Sequence, residues 1–414
     1  MECKEERFAF GKNWKKFVHE KFSQERVDMA QERLLKTLRL ENLHARTFLD
    51  IGCGSGIHSL AAWQAGASQV VSFDYDADSV ETTRSVRKLA GNPENWVVLQ
   101  GSVLDERFIR GIEPADVVYS WGVLHHTGDM WSAIRNASIP LKPDGVFFIA
   151  LYSYTNYQNS QVQGHPSPEQ WLEIKQRYNQ ASALGKVRME LLDVLRDTHA
   201  PVGANVSRKQ RRRNKKPSFR RASRTAMRTA RHILRATSEK IGTIRQYERS
   251  RGMSYWTDVR DWLGGWPMEF VKEDELIRFC REQLGLETLL VLTGEGNSEF
   301  VLRREGASNY WDEVISRRLS RKLEPPFEKG EGKIWSTSLP ELANRADTIQ
   351  TPLRSEVQLF ENGTLLPFAH SPFVAIEHLG GGRYSHWEDR FYFSTSDNSD
   401  PNVNNRIYSL VYDS

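Results

Sequence analysis

Cysteine is scarce in this chain, with Cys3, Cys53 and Cys280 the three among 414 residues. They stand far apart, which excludes a disulfide framework or a cysteine-built zinc site and makes a reducing cytoplasm the expected compartment. Long apolar runs are missing too. No stretch approaches the length of a membrane span, and the charged start, Met1 to Lys12, holds no apolar signal core. Acid is absent from one segment: Arg208 to Arg235 carries thirteen lysines and arginines and no Asp or Glu. Taking those thirteen from the 57 basic residues leaves 44 against 53 acids, so the net charge of +4 describes a mildly acidic protein with one basic insert. What is present, 39% hydrophobic and 27% charged residues, fits a globular chain long enough for two or three domains.

The most informative stretch runs from Thr47 to Asp76. A short apolar run, Thr47-Phe48-Leu49, ends at Asp50; glycines follow at Gly52, Gly54 and Gly56; a helical pattern covers Ile57 to Ala65; and a second apolar run, Gln69 to Phe73, ends at Asp74. This predicts a strand, a glycine turn, a helix and a parallel strand, the β-α-β unit that binds nucleotides at its carboxyl edge. Glycines let backbone N–H groups and a helix start approach a ligand closely, and Asp74 is placed to accept hydrogen bonds from both hydroxyls of a ribose. Dinucleotide and S-adenosylmethionine sites share these features, and the spacing separates them. A dinucleotide fingerprint needs a glycine where Ile57 stands. Here the pattern is D-x-G-x-G-x-G, with Asp50 where a carboxylate would suit the cationic amine of a methionine.

Before this stretch, residues 6 to 40 read as one helix, whose aromatic start, Phe8 to Trp14, is able to fold over a ligand. A helix is expected over Asp78 to Ala90, and strands over Trp96 to Gln100, Ala115 to Trp121 and, after a turn Leu141 to Gly145, Val146 to Tyr152. Strands alternating with helices predict a doubly wound α/β sheet. At the end of the third strand Ser102 and Val103 are candidates for the edge and face of an adenine, and the fourth ends in Gly122-Val123-Leu124-His125-His126.

Asp50 to Gly56, Asp74, Trp121 to His126 and Leu141-Lys142-Pro143-Asp144-Gly145 together resemble the class I S-adenosylmethionine-dependent methyltransferases, and within them the group around the ubiquinone-biosynthesis methyltransferases. The resemblance covers roughly residues 45 to 152 and resumes near Glu269. It implies a Rossmann-like fold, S-adenosylmethionine as cofactor, and Asp50, Gly52, Cys53, Gly54, Gly56, Asp74, Tyr75, Ser102, Val103 and Trp121 as the residues that hold it. Many relatives have Gly-Asp after the third strand where this chain has Gly101-Ser102. The sheet is expected to finish late, with a helix over Phe270 to Leu284 and strands over Leu286 to Leu292 and Glu299 to Arg303.

The expected organisation is an N-terminal helical cap, 1–45; the first part of the methyltransferase core, 46–152; a helical, basic insertion with an aromatic lid, 153–267; the last core elements, 268–305; a linker, 306–333; and a β-rich module, 334–414. In the lid Trp256, Trp262 and Trp266 alternate with Asp258, Asp261 and the Gly264-Gly265 pair, a composition suited to a substrate pocket. The module offers an Asn362-Gly363 hairpin turn and aromatics among Asn, Asp and His, as used to grip a sugar. Asp397 and Asp400 have the composition of a calcium-binding loop but read equally as turn residues, and no metal is expected.

Methyl transfer from a sulfonium requires the acceptor to be held in line and, for a hydroxyl, a proton to be removed. His126, with His125 beside it, is the leading candidate base; Asp258 or Asp261 are alternatives, and Tyr152, Tyr154 and the three lid tryptophans are expected to hold the acceptor. The favoured reading is O-methylation of a small-molecule or glycan-like hydroxyl acceptor, with residues 208–235 meeting anionic groups or a membrane surface. The alternatives are a nucleic-acid methyltransferase that grips RNA through the basic insert, and a non-catalytic cofactor-binding scaffold.

Overall fold

The computed structural model describes residues 8, 10–158, 166–196, 255–293, 296–317, 319–348, 351, 354–366 and 368–412. The basic tract 208–235 and the side chain of Asp258 lie outside the described residues.

The cap consists of two helices, α1 (Phe10–Lys21) and α2 (Gln24–Leu38), instead of the single helix expected. Ser23, with extended backbone angles of −152° and 151°, breaks them apart, and Arg39 in the left-handed region ends the second. The break lets α1 lie against α4 (Ala77–Leu89) while α2 lies against α3 (Ile57–Gln64).

The central sheet is built from β1 (Thr47–Ile51), β2 (Gln69–Asp74), β3 (Trp96–Gln100), β4 (Ala115–Trp121), β5 (Leu141–Tyr152), β6 (Leu286–Leu292) and β7 (Asn297–Arg304). Their order is β3-β2-β1-β4-β5-β7-β6, parallel through β5 and antiparallel where β7 inserts between β5 and β6. Both faces are covered, so the strands read as nearly continuous apolar runs; Val117 and Val118 are both fully buried on opposite faces. The expected turn Leu141 to Gly145 is instead the first part of β5, where the pairing with β4 shifts register between Ala115 and Val117. α5 (Glu106–Arg110) and α6 (Met130–Ala137) complete the first part of the core.

The helices Pro168–Gln180, Ala183–Arg196 and Tyr255–Gly264 meet above the carboxyl edge, around Trp171, Tyr178, Val259, Trp262 and Leu263. Ser167 starts the first with a capping box to Gln170.

Residues 306–333, expected as a linker, are mostly structured. Helix Tyr310–Arg317 buries Trp311 completely against the core, and the Tyr310 hydroxyl donates to the Leu38 carbonyl at 2.9 Å. β8 (Leu319–Leu323) and β9 (Glu328–Lys329) already belong to the C-terminal sheets. Those sheets are completed by β10 (Trp335–Ser338), β11 (Gln358–Glu361), β12 (Thr364–Leu365), β13 (Tyr384–Trp387), β14 (Arg390–Phe393) and β15 (Tyr408–Tyr412). They run β13-β14-β10-β9 and β12-β11-β15-β8 around a shared core that includes Leu359, Phe391, Phe393 and Leu410. Asn362 and Gly363, at φ of 49° and 80°, make the two-residue turn between β11 and β12. Asp397 accepts from Ser399 and Arg406, and Asp400 from the Asn402 backbone, which makes both turn residues.

Candidate active site

The glycine turn leaves β1 so sharply that Gly52 and Gly54 take φ of 77° and 50°. A Cβ at Gly52 would stand 2.4 Å from Val123 Cγ1, and one at Gly54 would stand 3.0 Å from Trp14 Nε1. Gly52 therefore requires glycine for space as well as for conformation, whereas at Gly54 the positive φ is the main constraint and the Trp14 indole would have to give by a few tenths of an ångström. The Gly52 and Cys53 N–H groups donate to the Phe73 carbonyl, and Cys53 is buried with its sulfur accepting from Thr83 Oγ1 at 3.2 Å.

Asp74 ends β2 at the same edge. Its Oδ2 accepts from Gly54 N at 3.0 Å and its Oδ1 from Asp76 N at 2.9 Å, so each oxygen keeps a further lone pair for a ligand hydroxyl. Burial raises its pKa to about 6, against the lowering effect of those backbone donors.

Asp50 is placed differently from the expectation. Its carboxyl lies under the turn, 2% exposed, where Oδ2 accepts from Ser59 Oγ at 2.5 Å, and it does not line the cavity. Burial raises its pKa to about 7, with the Ser59 bond opposing. Asp50 holds the turn to α3 through that bond instead of offering its charge at the edge.

The turn opens into a cavity of about 730 Å³, in the upper part of the roughly 300–1,000 Å³ range of small-molecule sites. Gly52, Cys53, Gly54, Asp74, Tyr75, Ser102, Val103 and Trp121 line it, while Gly56 starts α3 behind them as its left-handed N-cap. Ser102 Oγ accepts from Leu104 N. Asp105 is committed as the N-cap of α5, accepting from Arg107 N and Phe108 N, so Ser102 is the polar side chain at that end of the wall.

The opposite wall is aromatic. Phe8, Phe10 and Trp14 come from the start of the chain, and Tyr152, Tyr157, Trp262 and Trp266 from the far side. Tyr157 and Trp262 stack at 5.2 Å with their planes 9° apart, and Tyr152 meets the Trp262 ring edge-on at 5.1 Å. Behind Trp262 the fully buried Lys175 lies 4.1 Å from the ring centroid and donates to the Trp262 carbonyl. Asp261 lines the cavity, with Oδ1 accepting from Asn13 Nδ2 at 2.5 Å. Trp256 and Tyr154 are not brought to the cavity: Trp256 is 37% exposed on its helix, and the Tyr154 hydroxyl donates outward to Glu169.

His125 and His126 sit in the short 3₁₀ turn after β4 and part company there. His125 is fully buried, both ring nitrogens without a hydrogen-bond partner among the described residues, its ring 4.2 Å from that of Tyr152. His126 lines the cavity with Nδ1 2.8 Å from the Pro267 carbonyl. A carbonyl can only accept, so Nδ1 carries the proton and Nε2 holds the lone pair. Burial, then the positive charge of Lys175, lower the His126 pKa to about 3 and keep the ring neutral.

Sequence reasoning missed part of the wall: Arg33 on α2, His58 on α3, Tyr119 and Phe148 on β4 and β5, Tyr157 and Asn297. Tyr119 and Trp121, two residues apart, share one strand face, a signal that could have marked Tyr119.

Residues 19–194 match a family model described as a methyltransferase domain. The tRNA U34 carboxymethyltransferase of Klebsiella pneumoniae is 38% identical over 120 residues, 29% of this chain and 34% of that one. The ubiquinone biosynthesis O-methyltransferase of Methylobacterium nodulans is 32% identical over 113 residues, 27% of this chain and 43% of that one. The match thus spans between about a third and less than half of these curated relatives. Among solved structures, an O-methyltransferase family protein from Burkholderia thailandensis is similar at a TM-score of 0.37 and 14% identity, over 72% of this chain and 59% of that one. S-adenosylmethionine is the cofactor such methyltransferases use, and the residues fit it: Gly52 admits no Cβ, Gly54 holds a positive φ beside it, and the Asp74 oxygens keep lone pairs for a ribose. Residues 19–194 thus form a methyltransferase domain, similar to those of the class I S-adenosylmethionine-dependent methyltransferases.

Proposed function

We propose that this methyltransferase methylates a hydroxyl of a small molecule with a ring face, an aromatic or a sugar, held among Phe10, Tyr152, Trp262 and Trp266. The observation that carries the reading is the His126 ring, fixed by the Pro267 carbonyl with its Nε2 lone pair free of the proton in an aromatic cavity. The cofactor, when bound, supplies an electrophilic methyl on a sulfonium. Gly52, Gly54 and Asp74 bind the nucleoside part, and the aromatic walls orient the acceptor and exclude water. Nε2 accepts the hydroxyl hydrogen bond and points an oxygen lone pair away from itself. With a pKa near 3 the ring does not keep the proton at neutral pH; it takes it as the oxygen becomes an oxonium and releases it to solvent. Asp261 is a further polar group at this wall.

Methylation of RNA is the second reading, favoured by the name of the Klebsiella relative and by the thirteen basic residues from Arg208 to Arg235. The test is incubation with S-adenosylmethionine labelled in the methyl group, offered with phenols, free sugars and transfer RNA. Label is expected in a phenol or sugar, and His126→Ala is expected to lower that turnover about a hundredfold with cofactor affinity intact. Label in transfer RNA alone would replace the first reading by the second.

A further inference from the structure

At the cavity wall beyond Trp121, Asn297, and Glu299 buried just behind it, carry hydrogen-bond acceptors that no described residue satisfies. β7 runs antiparallel to β5, pairing Asn297 with Tyr152 and Glu299 with Ala150, and Ala150 pairs in turn with Trp121 on β4. Trp121, Ala150 and Glu299 therefore form a row across one face of the sheet, with Asn297 two residues along on the same face. That face is the cavity side: Tyr119, Phe148, Trp121 and Asn297 line the cavity from it.

Glu299 is 3% exposed. Its Oε1 accepts twice, from Arg33 Nη2 at 2.7 Å and from Trp121 Nε1 at 3.1 Å, and both donors line the cavity. Its Oε2 is buried and accepts from no group among the described residues, and the same holds for Asn297 Oδ1. Two buried acceptor atoms left unpaired on one strand face are costly unless something donates to them. A methyl or an ether oxygen cannot; an O–H or N–H can.

We propose that Asn297 at the cavity wall, backed by the buried Glu299, forms a specificity subsite that takes a hydrogen-bond-donating group, a hydroxyl or an amine, carried by the methyl acceptor. Arg33 and Trp121 fix the Glu299 carboxyl by occupying Oε1, which leaves Oε2, behind the wall, for a donor that enters past Asn297. The inference rests on the proposed small-molecule reading and adds to it that the acceptor presents a donor toward β7. Acceptors whose substituents at that end are all alkylated or apolar are rejected, because they bury both oxygens without a partner.

The experiment uses the full chain and two probe sets. Binding of S-adenosylhomocysteine, followed by calorimetry, reports the cofactor half. Quenching of tryptophan fluorescence in the protein saturated with that product then reports binding of catechol and 2-aminophenol, which carry donors, against 1,2-dimethoxybenzene, which has a similar shape and none. The expected result is at least tenfold tighter binding of the donor-bearing rings. Glu299→Gln and, separately, Asn297→Leu are expected to reduce that ratio at least threefold with S-adenosylhomocysteine affinity unchanged. Equal affinity for all three rings in the unaltered protein, or no binding of the donor-bearing ones, overturns the subsite while the cofactor titration stands. Failure to bind S-adenosylhomocysteine removes the methyltransferase reading itself, and the subsite with it. Because the first comparison needs no variant, a poorly folded substitution cannot shelter the inference.

Discussion

At the scale of single residues, Asp74 decides how cofactor binding responds to pH. Burial holds its pKa at about 6 in the free protein, and ribose hydroxyls donate to the ionised form. Proton and cofactor therefore compete. Cofactor affinity is expected to fall as pH drops below about 6 and to level off above about 7, as read by calorimetry at a series of pH values. Asp74→Asn is expected to bind more weakly at neutral pH and to flatten the profile; a profile unchanged by that substitution would remove Asp74 from the ribose. The position of Asp74 was legible because a strand-end acid following three glycines is a local pattern. Asp50 was misjudged because its partner, Ser59, lies a full helical turn beyond the glycines, where nothing in the spacing distinguishes a packed hydroxyl from a solvated one.

Elements show the same division between local and distant causes. The β-α-β unit, the strands at Ala115 and Trp96 and the Asn362-Gly363 hairpin could be read because each is specified by neighbours in sequence. The break at Ser23 and the helix Tyr310–Arg317 could not, because each exists to fit a surface elsewhere: α1 against α4, and Trp311 against the buried core. Lys175 illustrates the distant case. On the helix Pro168–Gln180 it reads as one charge among several, yet it is fully buried behind Trp262 and its charge reaches both histidines. Lys175→Met removes that repulsion, and the His126 pKa is expected to move upward from about 3, as followed by NMR titration of the imidazole. An unmoved pKa would leave burial as the whole cause.

For the whole molecule, the C-terminal sheets and the methyltransferase sheet meet through a few unlike contacts. Glu356 pairs with Lys36 at 3.2 Å and Arg39 at 2.9 Å, Thr293 donates to the Ala369 carbonyl, and Trp311 fills the core just before β8. Partly exposed ion pairs are worth at most about 1 kcal/mol, whereas truncating a buried indole costs about 3–5 kcal/mol. Glu356→Ala is thus expected to change the midpoint of thermal unfolding by a few degrees at most, and Trp311→Ala to lower it well beyond that. The reverse ranking would make the junction electrostatic. No helix among the described residues is long and apolar enough to cross a membrane.

The place of β7 in the sheet also sets an order of events during synthesis. The ribosome delivers the glycine turn, Asp74 and His126 early, and it delivers Asn297 and Glu299 only after residues 153–296 have left the exit tunnel. Until then β5 is an open sheet edge with apolar faces and unpaired backbone groups, the kind of surface that chaperones cover and neighbouring chains invade. A nascent chain can thus carry the parts of a cofactor cradle well before it can tell one acceptor from another.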